Sequence, residues 1–233
     1  MKRSSLVVIL LLVSVVSVFS QTRFQGGLNL LIGAPQSEFK ENVDNVGIGL
    51  GGHFGYNIPQ SPFILGGSLG FLIYGSDTRE EPFSPTIPDV WVDVTTTNSI
   101  FQGHLMLRVQ PQEGTLRPYL DGLFGFSYLS TTTEVKDQGW DDDDNIASST
   151  NQDDFTSSYG GGGGLMIKVY EGVNQNDSPY TIFVDLGVRY LVGGNAEYLK
   201  EGSIEIKNGK VYYDLSESTT DLMIYQIGAA INF

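Results

Sequence analysis

The feature that most restricts the fold of this chain is an alternation of apolar and polar residues with a period of two. Successive side chains of a β-strand point to opposite faces, so each alternating segment predicts a strand with one apolar and one polar face. Eight segments follow the pattern, around residues 24–33, 46–57, 63–73, 101–109, 119–128, 162–169, 180–190 and 223–233. The 29 glycines and 12% aromatic residues agree with a chain of strands and turns.

The polar face of these strands carries many glycines and only a few charges. Sheets that face water normally carry many Lys, Glu and Thr residues. Glycines and a few charges that can pair fit the crowded interior of a narrow barrel, and the apolar face fits lipid. We therefore predict a polar network in the lumen, with Arg108 facing Asp121 across a short turn. The residues of this network are Arg108, Asp121, Lys168, Asp185, Arg189, His53 and His104.

The connections between the segments alternate in length. Those at residues 58–62, 111–118 and 171–179 are short. Those at residues 35–45, 75–95, 131–157 and 193–220 are long. Membrane barrels have short periplasmic turns on one rim and long external loops on the other, so the pattern predicts this asymmetry. Within the last long connection, Asn208-Gly209 between alternating residues predicts an ordered hairpin.

Aromatic residues of the apolar face fall near the predicted strand ends. At the rim with short turns they are Phe24, Tyr56, Phe63, Tyr180 and Phe233, and at the other rim they are Tyr128 and Tyr190. Aromatic rings fit the boundary between lipid and water. We therefore predict two aromatic girdles.

The N-terminus is typical of a secretory signal peptide. Lys2 and Arg3 precede 14 apolar residues, Leu6–Phe19, a stretch shorter than the roughly 20 residues that a membrane-spanning helix needs. Small residues before Gln21 fit a cleavage site. The sequence thus predicts a signal peptide over residues 1–20 and one barrel domain over residues 21–233, in place of an uncleaved anchor.

Two further segments resemble the small OmpA/OmpX-like outer-membrane barrels of Gram-negative bacteria. They are RPYLDGLFGFSYL at 117–129 and the closing IYQIGAAINF at 224–233. The resemblance implies an all-β fold: an eight-stranded antiparallel up-and-down transmembrane β-barrel with short periplasmic turns and long external loops, in the cell outer membrane. It also implies that Phe233, with the alternating Ile231 and Tyr225 before it, forms the signal read by the barrel-insertion machinery.

Several chemistries have no support in the sequence. Cysteine is absent, so disulfides, thiolate metal sites and cysteine nucleophiles are excluded. The net charge of −14 disfavours nucleic-acid binding. The acidic run at 141–145 is not an EF-hand, because Ile146 and Gln152 occupy the places of its glycine and glutamate. The glycines at 160–164 lack the Lys-Ser/Thr of a phosphate loop and more simply relieve crowding. We predict no cofactor, no metal site and no catalytic residues.

Two functional hypotheses remain open, with a weaker third. The first is a monomeric structural or surface-binding protein that meets an external ligand through its long acidic loops, without a pore, since eight strands leave room only for side chains. The alternative is a lipid-modifying enzyme that uses His53 or His104. The third is a soluble periplasmic carrier similar to lipocalins, which would place the apolar face in water. The expected partners are outer-membrane lipid and, during assembly, the insertion machinery.

Overall fold

The computed structural model describes residues 24–84, 87–137, 145–174, 178–207 and 210–233. The predicted signal peptide and the aspartates at 141–144 lie outside the described residues.

Eight long strands form the body of the molecule, and a hairpin and a short helix stand at one end. The barrel strands are β1 (Phe24–Pro35), β2 (Gly47–Asn57), β3 (Phe63–Ser84), β4 (Ile87–Val109), β5 (Leu116–Asp137), β6 (Asn145–Val173), β7 (Pro179–Gly193) and β10 (Leu222–Asn232). The hairpin is β8 (Asn195–Lys207) with β9 (Lys210–Thr219), and the helix is α1 (Ser37–Asn42).

The eight strands close into a ring in the order β1-β10-β7-β6-β5-β4-β3-β2. Every neighbouring pair is antiparallel, and the ring closes where β1 pairs with β10, from Gln25 opposite Asn232 to Pro35 opposite Leu222. Apart from this seam, each strand pairs with the strand next along the barrel, so the topology is up-and-down. The predicted eight-stranded antiparallel barrel is confirmed.

The second and third long connections are mostly strand, which differs from the predicted loops. β3 and β4 remain paired out to Ser84 opposite Ile87, and β5 and β6 remain paired out to Lys136 opposite Asn145. The outer parts of these strands are rich in threonine, a β-branched residue that suits strands. Threonine hydroxyls also bond across strands, as in the 3.1 Å contact between Thr96 Oγ1 and Thr133 Oγ1. The sheet therefore continues beyond the apolar part of the wall.

The fourth long connection contains the predicted hairpin. β8 and β9 pair from Asn195 opposite Thr219 to Lys207 opposite Lys210, with a register shift between Leu199 and Ile204. The turn itself, residues 208–209, lies outside the described residues. Near its base the hairpin packs against the barrel, because Tyr198 and Leu199 are fully buried.

The two faces of the barrel wall differ sharply in chemistry. The outer face is a belt of exposed Leu, Ile, Val and Phe side chains, with Leu28 at 77% and Leu105 at 69% exposure. The inner face holds buried Arg108, Asp121 and Asp185. The sheet is therefore apolar outside and polar inside over this part of its height.

Candidate functional site

A buried ion pair between Arg108 of β4 and Asp121 of β5 lies inside the barrel. The two residues stand directly opposite each other in the strand register. Arg108 Nε donates to Asp121 Oδ1 at 2.7 Å, and Arg108 Nη2 donates to Asp121 Oδ2 at 2.9 Å. Arg189 Nη2 adds a third donation to Asp121 Oδ2 at 3.1 Å. Such a two-pronged contact gives an arginine–carboxylate pair both strength and direction.

Asp185 of β7 is the second negative charge of the lumen. The hydroxyl of Tyr119 donates to Asp185 Oδ1 at 2.7 Å, and the side-chain amides of Asn29 and Gln226 donate to Asp185 Oδ2 at 3.3 and 3.2 Å. Arg108 Cζ lies 3.9 Å from the centroid of the Tyr119 ring, in cation–π geometry. The Tyr119 ring thus connects the two carboxylates into one network with two arginines and two aspartates.

Both histidines face the lumen and are at most 7% exposed. His53 Nε2 accepts from Arg108 Nη1 at 3.4 Å, and His104 Nε2 lies 3.0 Å from the hydroxyl of Ser158. Among the described residues neither imidazole is hydrogen-bonded to a carboxylate. The arrangement therefore lacks the oriented base of a nucleophilic triad within the described chain.

Lys168 does not join the lumen network, contrary to the sequence-based prediction. A register shift between Lys168 and Tyr170 interrupts the ladder of β6 with β7 near the end with short turns. Lys168 Nζ instead bonds Glu171 Oε2 at 2.8 Å, and the two side chains are 30% and 62% exposed. Lys168 keeps its register opposite Phe183, but it lies one residue beyond Ile167, the last residue of β6 paired with β5. Its N–H donates to Thr115 O of the short turn at 2.8 Å, so Lys168 lies at the rim.

The chain closes the barrel with its last residue. Phe233 N donates to Phe24 O at 2.9 Å, and Phe24 N donates to Phe233 O at 2.8 Å. The ring of Phe24 stacks on Phe54, with centroids 5.4 Å apart, and lies 6.2 Å from the ring of Phe233. The other predicted girdle and assembly residues also present their side chains outward or partly outward: Tyr56, Phe63, Tyr180, Tyr225 and Ile231.

A layer of the lumen nearer the hairpins is apolar, which sequence reasoning did not predict. Its buried residues include Leu31, Leu72, Ile100, Leu129, Leu191 and Ile224. Each comes from a short run in which apolar residues occupy both faces, such as FLIY at 71–74. These runs are the sequence feature that could have predicted the buried apolar residues, because a strand that is apolar on both faces is usually buried on both faces.

An aromatic cap lies at the external side of this apolar layer. Phe39 of α1 is completely buried, with its ring centroid 5.1 Å from that of Tyr198 and 5.7 Å from that of Tyr74. The helix is tied down by Glu38 Oε2, which accepts from Thr219 N at 3.2 Å. Phe39, Tyr74 and Tyr198 belong to the same buried cluster as Leu31, Leu72 and Ile224.

Asp221, just before β10, fastens the segments around the cap. Its carboxylate accepts from Ser37 Oγ at 2.8 Å, from the hydroxyl of Tyr190 at 3.2 Å and from Gly193 N at 3.1 Å. These contacts join the entrance to α1, the end of β7 and the start of β10.

Within the described part of the chain, no group of three or more His, Cys, Asp or Glu side chains is arranged to hold a metal ion. In the same residues no helix is long and apolar enough to cross a membrane.

Comparisons with known proteins give matches to solved structures alone. No family model matches the chain, and no curated protein matches it. Neisserial surface protein A is 12% identical over 90% of this chain and 95% of its own, with a TM-score of 0.39. Ail of Yersinia pestis, in complex with sucrose octasulfate, has the same identity and TM-score over 91% of this chain and 97% of its own. A major outer membrane protein of Thermus thermophilus is 14% identical over 89% of this chain and 99% of its own, with a TM-score of 0.34. The fold is established by the closed ring of strands itself.

Proposed function

We propose that this protein is a sealed, integral outer-membrane β-barrel whose role is structural or surface-binding and is carried by its external hairpins. The observation that carries the proposal is the inversion of the wall, with apolar side chains exposed outside and ion pairs buried inside. Exposed apolar surface of this extent is costly in water and favourable in lipid. A closed barrel also satisfies every strand edge, as a spanning sheet must.

The content of the lumen argues against a pore. An eight-stranded barrel has an interior only wide enough for its own side chains. Here the polar network occupies the part near the short turns, buried apolar residues lie nearer the aromatic cap, and the cavity between them is about 20 Å³, roughly the space of one water molecule. We infer that nothing passes through, so that any activity resides in the external segments or on the lipid-facing wall.

Acidic residues are concentrated in the long connections at the external end of the barrel. The four long connections, taken as residues 36–46, 75–96, 131–157 and 194–221, hold 22 of the 27 acidic residues and 6 of the 13 basic ones. Net charge raises solubility and steers partners of opposite sign. The external end thus forms an acidic surface, and a polyanionic partner is disfavoured there.

The remaining proposals concern export and assembly. We infer that residues 1–20 are cleaved as a signal peptide and that residues 21–233 reach the cell outer membrane as a monomer. Both described chain ends, Phe24 and Phe233, lie at the rim with short turns, which fits a periplasmic position for that rim.

The alternative of a lipid-modifying enzyme has less support. His53 and His104 line a cavity of about 590 Å³ together with the outward-facing Leu28, Phe54 and Leu69, but among the described residues neither imidazole has a carboxylate partner that would orient it as a general base. The soluble lipocalin-like carrier has less support still, because it would place the exposed leucines of the outer wall in water.

The proposed function is tested by membrane fractionation followed by reconstitution. We expect the protein to sediment with outer membranes and to stay there after carbonate washing, because its outer wall matches lipid. Liposomes that contain the purified barrel should not swell in isosmotic sugar, in contrast to liposomes with a general porin. Recovery in the soluble periplasm would contradict the membrane location, and swelling would contradict the sealed lumen.

Phe233 provides a second test, directed at assembly. Deleting Phe233 should reduce the amount of folded barrel in the outer membrane several-fold, because the deletion removes the seam bonds with Phe24 and the terminal aromatic that we propose the insertion machinery reads. Signal-peptide cleavage should be unchanged. Pulse-labelled cells would be compared with a Phe63→Leu control, which alters another girdle aromatic but leaves the terminus intact. Normal surface exposure of the deletion variant would show that Phe233 only packs against its neighbours.

A further inference from the structure

A cavity of about 450 Å³ lies at the external end, between the first connection and the hairpin β8–β9. Its size falls within the range of about 300–1,000 Å³ that is usual for small-molecule sites. The walls come from the loop after α1, from the barrel rim and from the hairpin: residues 42–45, Tyr74, Asn98, Lys200, Ser203 and Asp214. Nothing in the polar network or the seam uses these residues.

The lining of this cavity is rich in groups that both donate and accept hydrogen bonds. Three asparagines, a serine and a tyrosine contribute amides and hydroxyls, and Val43 is the main aliphatic side chain. Tyr74 is 3% exposed, and its hydroxyl has no hydrogen-bond partner in the described structure. A buried hydroxyl without a partner is uncommon and calls for an explanation such as a ligand. The lining suits a ligand with several hydroxyl groups.

The walls are held in place by their own hydrogen bonds. Lys200 Nζ donates across from the hairpin to Asn42 Oδ1 at 3.3 Å, and the hydroxyl of Ser203 donates to the carbonyl of Lys200 at 2.6 Å. On the barrel side, Thr131 Oγ1 donates to Asn98 Oδ1 at 2.7 Å. A site whose groups are fixed before binding loses less entropy when a ligand arrives.

The charges around the cavity select against anions. Asp44 and Asp214 face one lysine, Lys200, so the lining is slightly acidic, and the external surface around it is strongly acidic. An anion would be repelled by both. A neutral ligand can use the amides, the hydroxyls and Lys200 as donors and acceptors, whereas a cationic saccharide, which the acidic surroundings would attract, is the competing occupant that the experiment below distinguishes.

We propose that this cavity binds a neutral saccharide unit. The proposal rests on the proposed function, because it requires the hairpin end to face outward from the cell, and it gives the surface-binding role a ligand class. The unit would hydrogen-bond the asparagine amides, Lys200 and Asp214, and rest on the barrel rim beside Tyr74.

Saturation-transfer NMR on the intact chain, folded in detergent micelles, tests the proposal. The neutral probes are N-acetylglucosamine, galactose and lactose, and the charged probes are glucuronic acid and glucosamine. Asp214 is exposed at the edge of the cavity, so Asp214→Trp should fill the cavity with little strain on the fold. Glu217→Trp places the same side chain at another exposed position of β9 outside the cavity and is the matched control. Both variants are first checked for a folded barrel by the mobility of unheated samples in gels.

We expect at least one neutral probe to bind the wild-type chain. Asp214→Trp should weaken its binding about ten-fold or more, and Glu217→Trp should leave it unchanged. The proposal is overturned if no neutral probe binds, if the charged probes bind as tightly, or if the two variants weaken binding equally. A chain that stays in carbonate-washed outer membranes and binds no neutral saccharide contradicts this inference alone and leaves the membrane location intact.

Discussion

Replacing Asp121 with alanine should lower the free energy of unfolding by about 3–5 kcal/mol. The side chains of Arg108 and Asp121 are both completely buried, and Asp121 accepts from Arg189 as well. Its removal leaves two guanidinium groups in the lumen with Asp185 as the remaining carboxylate. A buried charge without its partner has lost its hydration and gained nothing in return. Urea unfolding of the barrel in lipid vesicles measures the loss.

A double-mutant cycle then separates the cost of an unpaired charge from the worth of the pair. Arg108→Ala combined with Asp121→Ala should cost less than the two single losses added, because each single variant leaves the other charge unpaired. Lys168→Ala is the control, since it breaks an exposed pair with Glu171 and should leave the unfolding midpoint nearly unchanged. Strictly additive losses would show that Arg108 and Asp121 do not depend on each other.

The barrel was predictable because its two-residue period is repeated eight times. Period-two alternation assigns each side chain to a face, and the short turn between β4 and β5 fixes the register that places Arg108 opposite Asp121. No long-range information is needed for that pair. The position of Asp185 inside the lumen also follows from parity, since β7 runs without a bulge against β10.

The rest depends on contacts that alternation cannot show. Parity places Lys168 inside, but β5 begins only at Leu116, opposite Ile167, so Lys168 already lies at the rim of the barrel. The aromatic cap joins Phe39, Tyr74 and Tyr198, which are far apart in sequence and meet only once the barrel has closed. Likewise, the three donors to Asp185 lie on three other strands. In the sequence each donor is one of several polar residues on the inner face, and nothing marks it as a partner of Asp185.

The glycines of β6 lead to the second large effect. Replacing Gly164 with valine should lower the free energy of unfolding by several kcal/mol, because a Cβ there would overlap the backbone oxygen of Leu186 as well as Cζ and Oη of Tyr119. Overpacking of this kind costs about 1–3 kcal/mol. Displacing Tyr119 also breaks its 2.7 Å bond to Asp185, and a buried group left without its partner costs about 1–3 kcal/mol more. Urea unfolding in lipid vesicles measures the total.

Two further variants identify the cause of that loss. Gly122→Val puts the same side chain on the outer face of β5, where the nearest atom to an added Cβ is Leu107 O at 3.8 Å, so its stability should stay close to wild type. Tyr119→Phe removes only the hydroxyl and measures how much of the loss in unfolding free energy is due to the hydrogen bond with Asp185. If Gly164→Val is as stable as Gly122→Val, then the lumen has room beside Tyr119. In that case the ring could move without disturbing Asp185. The inference that the polar network leaves no free space in the lumen would then be wrong.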